Sequence, residues 1–552
     1  MSVDGRVGVI VGEATTDTFY FASEVENYPP KWEYLAVHAK EVIDGVEKPV
    51  QVLAQVERIV SASQVLSKEI DFDAIKRILH AQVEDLRVWG QARILGYIHS
   101  DEQTGKSRIL LPRRAVIPGR PIYIAPEPLL RDFYSSGEGD RLYVGRLINR
   151  PDVPVYISAS GFKRHLAIIA QTGAGKSYCA GVLIEELLEN GATLIVIDPH
   201  ADYVFLSRIQ TPEGSLRHPL ADYMTVFRNP SSTGRYSESE IQNIQPFEVA
   251  FQDLDYYEIC DIAGISEKFV RLQEAIRIAV EKLNSMKRRY TPQDLINELN
   301  NLSRSEDENI DSWVKRAAIA ASRRIRLLLW LKIFGAATTP LSLLLKPMHL
   351  SIIDLSGLND KTMDYVAYRI LNDLYDLKTG RSEYVDLKDF RYPIYIFLEE
   401  AHKFIPEDGS TLTSEIINRI AAEGRKFGLF LTLITQRPSK VHPDTLSQCN
   451  SQIVMKLTNP EDQDAIRRSS ERLSHQLVRD LPGLNVGEAV IVGEVTSTPV
   501  MVKVRQRKTL EGGSDIPVAE LLREAKERHR LKTQLLPEGE LSEEEARRLL
   551  GE

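Results

Sequence analysis

From Gly5 to about Arg146 the chain alternates apolar and polar positions in short runs rich in β-branched and aromatic residues: RVGVIVG, TFYFAS, YLAVHA, QVLAQVERIV, ARILGYI, PIYIAP and LYVGRL. Split by turns at this spacing, they predict a small all-β barrel or sandwich. One stretch, DFDAIKRILHAQVEDLRVWG, breaks the alternation with helical periodicity and predicts a helical excursion. After NRPDVPVYIS the texture changes to strand-sized apolar runs alternating with helical periods: HLAIIA, a helix predicted over 176–190 that stops at Gly191, then TLIVIDPH. Such alternation predicts a parallel sheet with helices on its faces. Further strands are predicted at LSIIDLSGL, YPIYIFLEEAH, LFLTLITQRP, SQIVMKL, AVIVGEV and PVMVKV.

Between Asp253 and about Thr339 the pattern offers no strand. Amphipathic runs such as KFVRLQEAIRIAVEKLNSMKRR and SWVKRAAIAASRRIRLLLWLKIF predict an inserted helical bundle, and the basic stretches within them, MKRR and SRRIR, read as solvated faces. From Glu511 the turn residues EGGSD precede a helix with Pro517 in its first turn. A last segment, LSEEEARRLL, sets Ser542 and Glu545 at capping-box spacing. The expected division is a barrel over 1–150, an α/β core over 151–252 and 341–508, a helical insertion over 253–340, and a C-terminal arm over 509–552.

Composition narrows the class. Of 552 residues, 43% are hydrophobic and 27% charged, the balance of a globular protein. The longest apolar runs fall far short of the roughly 20 residues that cross a bilayer. The N-terminus has no charged start followed by a long apolar stretch, so a soluble cytoplasmic protein without a membrane partner is expected. Cys179, Cys260 and Cys449 lie too far apart to suggest a disulfide framework or a zinc site, and read as buried small residues. A net charge of -9 argues against a general nucleic-acid coat protein but permits a basic channel inside an acidic exterior.

The chemistry starts at AIIAQTGAGKSYCAG. Residues 170–177 follow the phosphate-loop pattern G-x-x-x-x-G-K-[ST] except at the first position, which holds Ala170. A strand precedes the loop and a helix follows it. Amides from Gly173 to Ser177 must turn inward to the phosphates, Lys176 reaches the outer phosphates, and Ser177 ligates Mg²⁺. The first position only closes the turn off the strand, which an alanine in an ordinary conformation can do.

Hydrolysis also needs a metal carboxylate and a group that activates water. The run YIFLEEAHKF ends a strand in Glu399 and Glu400, whose side chains are expected to diverge: Glu399 to the metal, Glu400 to the attacking water. The exchanged assignment, and two carboxylates merely solvating a strand end, are the alternatives. Asp198 ends another strand beside the loop and either holds metal-bound water or forms a turn before Pro199. Gln436 and Arg437 end LFLTLITQRP, where a polar tip can sense the γ-phosphate, or simply exit the strand. Arg425, Lys426 and Arg164 precede core strands and are candidates for transition-state stabilisation within the subunit or across an interface; otherwise they are surface salt-bridge partners.

Taken in order, GRVGVIVGEATTD, YVGRL, PVYIS, RHLAIIAQTGAGKS, VIDPHADY, FLEEAHKF, EGRKFGL and ITQRPSKV resemble the HerA ATPases of the HerA-FtsK group, RecA-like phosphate-loop motors. The resemblance spans nearly the whole chain, and the doubled glutamate is more specific than the loop. It implies an N-terminal barrel, a RecA-like core with a helical insertion, and a C-terminal brace reaching a neighbour. It implies a homo-hexameric ring that binds ATP and Mg²⁺ and translocates double-stranded DNA with a NurA-type nuclease in DNA-end resection, alongside the Mre11-Rad50 complex. By residue, it implies nucleotide binding by Arg164 and by the loop Thr172, Gly173, Ala174, Gly175, Lys176, Ser177 and Tyr178. Lys503 and Val504 would close over the nucleotide. Glu400 would be the catalytic glutamate, Gln436 the sensor and Arg425 a nucleotide-contacting arginine. Two other classes share the core: a DNA-pumping ATPase of the same group, and a nucleotide-stabilised clamp or scaffold holding a nuclease on DNA.

Overall fold

The computed structural model describes residues 5–43, 45–81, 85–100, 107–134, 140–212, 214–286, 289–307, 310–335, 337–381, 387, 390–512 and 518–534. Near the N-terminus six antiparallel strands close on themselves: Thr18–Ser23, Arg6–Ala14, Pro121–Ile124, Tyr34–Ile43, Val46–Ala62 and Arg87–Ser100, the last pairing back to the first. Closure leaves no open edge among the six. Alternate side chains such as Phe19, Phe21, Leu35 and Val37 fill its interior. The helical excursion is Phe72–His80, started by Asp71, whose carboxylate accepts the Ala74 amide at 2.8 Å.

A second sheet has twelve strands. In spatial order they are Ile244–Pro246, Met224–Arg228, Leu350–Asp354, Thr193–Asp198, Ile394–Leu398, Leu429–Thr435, Leu166–Ile169, Ser451–Met455, Glu488–Val492, Val500–Val504, Arg141–Leu147 and Pro154–Ser158. The first eight run parallel and the rest antiparallel. Both faces of the parallel part are covered, so its strands are apolar without alternation. Leu166 and Ile168 join one hydrophobic cluster, Ala167 and Ile169 the other. This is a RecA-like α/β phosphate-loop core carrying an N-terminal β-barrel and an inserted helical bundle.

Three details depart from the sequence reading. The run LYVGRL, grouped there with the barrel, forms Arg141–Leu147 and pairs with Val500–Val504 in the large sheet. Alternation says that a strand forms but not which sheet it joins. Met224–Arg228 was not anticipated, being only five residues between turns. The insertion holds the helices Tyr256–Ile262, Val270–Ser285, Pro292–Ser303 and Ser312–Ile325, two of them opened by capping boxes at Asp255 and Thr291. Its end is not purely helical: Phe334–Gly335 pairs in parallel with Val249–Ala250.

Past the last strand the chain straps across the helix Lys176–Glu189. Arg505 pairs with Glu185 at 2.9 Å and Glu186 at 2.8 Å, and Lys508 with Glu189 at 2.6 Å. The helix Val518–Gln534 follows, exposed over 518–530. Pro517, Ser542 and Glu545 lie outside the described residues. Cys179, Cys260 and Cys449 are free and buried, and burial pushes each thiol up to about 12. Among the described residues no helix is long and apolar enough to cross a membrane.

Candidate nucleotide site

The site grows from the carboxyl ends of adjacent parallel strands, where loops can converge without disturbing the sheet. Off the strand Leu166–Ile169, Gly173 and Gly175 turn with φ of +77° and +101°, conformations that strain any residue with a Cβ. Ala170 is buried and has no positive φ, and its amide donates to the Thr435 carbonyl at 3.3 Å. The left-handed turns therefore fall where the sequence has glycine. The loop delivers the chain into the helix Lys176–Glu189, whose first-turn amides lack intrahelical acceptors and favour an anion.

Glu399 and Glu400 do not diverge as expected. Glu400 leaves the strand in the left-handed region, φ 52° and ψ 47°, which breaks the alternation and turns both carboxylates to one ammonium. The Lys176 Nζ stands 2.6 Å from Glu399 Oε1 and 2.9 Å from Glu400 Oε1. Burial alone would lower the Lys176 pKa, but the field and hydrogen bonds of the two glutamates outweigh it and leave it raised. Glu399 is buried, its Oε2 accepting from the buried Tyr203 hydroxyl at 2.6 Å. Burial raises its pKa, against the pull of Lys176.

Gln436, at the tip of the neighbouring strand, joins loop to glutamate. Its Oε1 accepts from the Thr172 hydroxyl at 2.6 Å, and its Nε2 donates to Glu400 Oε1 at 3.2 Å. His402 places Nδ1 3.2 Å from the other Glu400 oxygen, and burial lowers its pKa. Thr172, Lys176, Ser177, Glu400, Gln436 and Val504 share one open cleft of about 670 Å³, which Gly173, Gly175, Tyr178 and Lys503 also line. The Ala174 carbonyl accepts from the Gly487 amide at 3.1 Å, tying the loop to the far side of the cleft. The Tyr178 hydroxyl accepts from the Arg507 amide at 2.6 Å.

Asp198 forms a turn, accepting the amides of His200 at 3.2 Å and Tyr203 at 2.9 Å. Burial, reinforced by Asp202 and Asp354, raises its pKa well above the usual carboxylate range. The carboxylate that reaches the loop from this turn is Asp202, accepting from Ser177 Oγ at 3.1 Å. Sequence reasoning missed it, although VIDPHADY carries it four residues past the strand tip. Arg164, Arg425 and Lys426 are not brought to this cleft. All three are exposed and precede the amino ends of Leu166–Ile169 and Leu429–Thr435, two paired parallel strands whose carboxyl ends hold the loop and Gln436.

A family profile described as the central domain of the helicase HerA matches residues 142–374. A DNA double-strand break repair helicase HerA of Saccharolobus solfataricus is 30% identical over 415 residues, covering 74% of this chain and 77% of its own. The chain belongs to the HerA family. Another HerA of the same description, from Pyrococcus furiosus, is 28% identical over 562 residues and covers 92% of this chain and 93% of its own. Among solved structures, the bacterial conjugative coupling protein TrwB overlies 70% of this chain and 93% of its own at 13% identity, with a TM-score of 0.46. Within the HerA frame, the loop, the doubled glutamate and Gln436 were legible from sequence, whereas Asp202, Tyr203 and His402 were not assigned.

Proposed function

We propose that this HerA-family chain is an ATP-driven DNA translocase or helicase of double-strand-break repair. It works as a homo-hexameric ring with a NurA-type nuclease in end resection, alongside the Mre11-Rad50 complex. The observation that carries the reading is the meeting of Lys176, Glu400 and Gln436 at the mouth of a phosphate loop. Relatives described as DNA double-strand break repair helicases support the DNA substrate.

In this reading Lys176 neutralises charge on the outer phosphates, and Glu400 orients the attacking water and takes its proton. Gln436, bonded to both Thr172 and Glu400, ties the occupancy of the loop to the sensor strand Leu429–Thr435. Tyr178, Lys503 and Val504 line the nucleotide. Hard oxygen donors beside Lys176 suit magnesium, which takes one or two carboxylates plus phosphate oxygens. Ser177 would hold the ion with a carboxylate, Glu399 being the one the motif suggests, and the ion would supply charge neutralisation at the phosphates. Arg164 and Arg425, exposed at the opposite end of the strands, suit contact with the nucleotide of a neighbouring subunit.

ATP hydrolysis measured with and without duplex DNA tests the motor, together with the particle mass. A ring of six with DNA-stimulated turnover is expected. Tight DNA binding with turnover indifferent to DNA would replace the motor with a clamp.

A further inference from the structure

We propose that the outward face of the helix Ser312–Ile325, with the short helical turn Arg326–Leu331 that prolongs it, holds the phosphate backbone of double-stranded DNA. The inference rests on the DNA-acting reading above and adds to it a surface outside the nucleotide cleft. Val314, Ala317, Ala318, Ala321, Ile325 and Leu328 anchor the inner face in the hydrophobic cluster that the insertion shares with the core. The outer stripe carries Arg316, Arg323, Arg324 and Arg326, all exposed. No aspartate or glutamate occurs between Asp311 and Asp354, so the stripe is basic without interruption in a chain whose net charge is -9.

Surface arginines ordinarily find carboxylates, but the helices packed beside this one use theirs elsewhere. Glu274 and Glu281 hold Arg277 at 2.6 and 2.5 Å, and Glu298 holds Lys282 at 2.5 Å. The Asp255 and Asp294 carboxylates close capping boxes. Among the described residues no ion pair or side-chain hydrogen bond reaches Arg316, Arg323, Arg324 or Arg326. Like charges gathered on one face repel, and a polyanion relieves that repulsion. From Arg316 to Arg326 the helix rises about 15 Å at roughly 1.5 Å per residue. A duplex carries one negative charge per about 1.7 Å of its axis, so the stripe meets several phosphates at once. The planar guanidinium fork matches phosphate oxygens in pairs. Beside the arginines, Trp330 is 78% exposed, more than any other large apolar side chain described, and Leu327 is 55% exposed. Exposed apolar groups rimmed by charge mark a contact surface. Duplex DNA presents continuous negative charge whatever its sequence, and it is the substrate of the proposed motor.

The test is binding of a fluorescently labelled random-sequence duplex to the full-length chain across a series of salt concentrations. Arg323→Ala, Arg324→Ala and Arg326→Ala combined should lower the slope of log affinity against log salt by about 2 to 3 and weaken binding about 10- to 100-fold at low salt. Lysine at the same three positions should keep the slope. ATP binding and turnover without DNA should be unchanged in both, because the stripe lies outside the cleft. Tryptophan fluorescence should change when wild type meets the duplex, and Trp330→Phe should remove that change. An unchanged slope in the alanine variant overturns the proposal while the DNA reading stands. A fall in particle mass in that variant overturns it too, by marking the face as a contact between copies of this chain. Equal loss of slope in the lysine variant does the same, since it marks unfolding of the insertion and not lost charge. A wild-type chain that binds no duplex removes the DNA reading and the surface together.

Discussion

Gln436 donates to Glu400 at 3.2 Å from the tip of the adjacent parallel strand, and the same amide accepts from Thr172 at 2.6 Å. The phosphate loop and Glu400 are thus joined through one side chain. Glu400→Gln should bind ATP and Mg²⁺ but lose about 10²- to 10⁴-fold in turnover, the usual worth of general-base help. Gln436→Ala should bind ATP and lose the stimulation of turnover by DNA. Single-turnover hydrolysis beside equilibrium binding separates the two effects. Normal turnover in E400Q, with loss in E399Q, would exchange the roles of the glutamates.

Ala170 is an ordinary residue in a glycine's place. Ala170→Gly should leave ATP affinity and turnover nearly unchanged, since the left-handed turns lie at Gly173 and Gly175. It should lower the thermal midpoint slightly, because added backbone freedom costs about 0.5–1 kcal/mol. A large gain in turnover would mean that the natural loop is impaired.

Arg425 is exposed at the end of the sheet remote from its own Glu400, which suits action in a neighbouring subunit. Arg425→Ala should spare ATP binding and ring assembly while cutting turnover by about 10³- to 10⁵-fold. Rings of E400Q and R425A, each inactive, should regain part of their activity when subunits exchange, because mixed interfaces pair an intact Glu400 with an intact Arg425. Continued inactivity after verified exchange would return Arg425 to its own subunit or to a surface salt bridge.

His349 is buried, its Nε2 2.9 Å from the Thr225 hydroxyl, and burial pulls its pKa down to about 4. The unfolded chain binds that proton near pH 6.5 and the folded chain only near 4, so acid favours unfolding. The contribution of this neutral imidazole is complete above about pH 6.5 and declines as pH falls toward 4. Urea midpoints measured across this window should fall more steeply for wild type than for His349→Gln, which keeps a hydrogen-bonding group. Parallel slopes would show that His349 does not titrate on unfolding.

The sequence by itself determined which segments are strands and helices in most of the core, because parallel strands covered on both faces must be continuously apolar and glycines must stand at left-handed turns. It also determined Lys176, Ser177, Glu400 and Gln436 as candidates, since each sits at a strand tip or helix start, where local pattern fixes position. Only the tertiary structure decided that Arg141–Leu147 joins the large sheet, because strand pairing depends on which distant edge is open. It alone turned Glu399 and Glu400 onto the same lysine, through a left-handed backbone at a residue that is not glycine. Asp202 was hidden for the same reason: its meeting with Ser177 spans 25 residues of chain and depends on how Ala201 and Gly512 hold a loop, a long-range packing outcome that no local periodicity records.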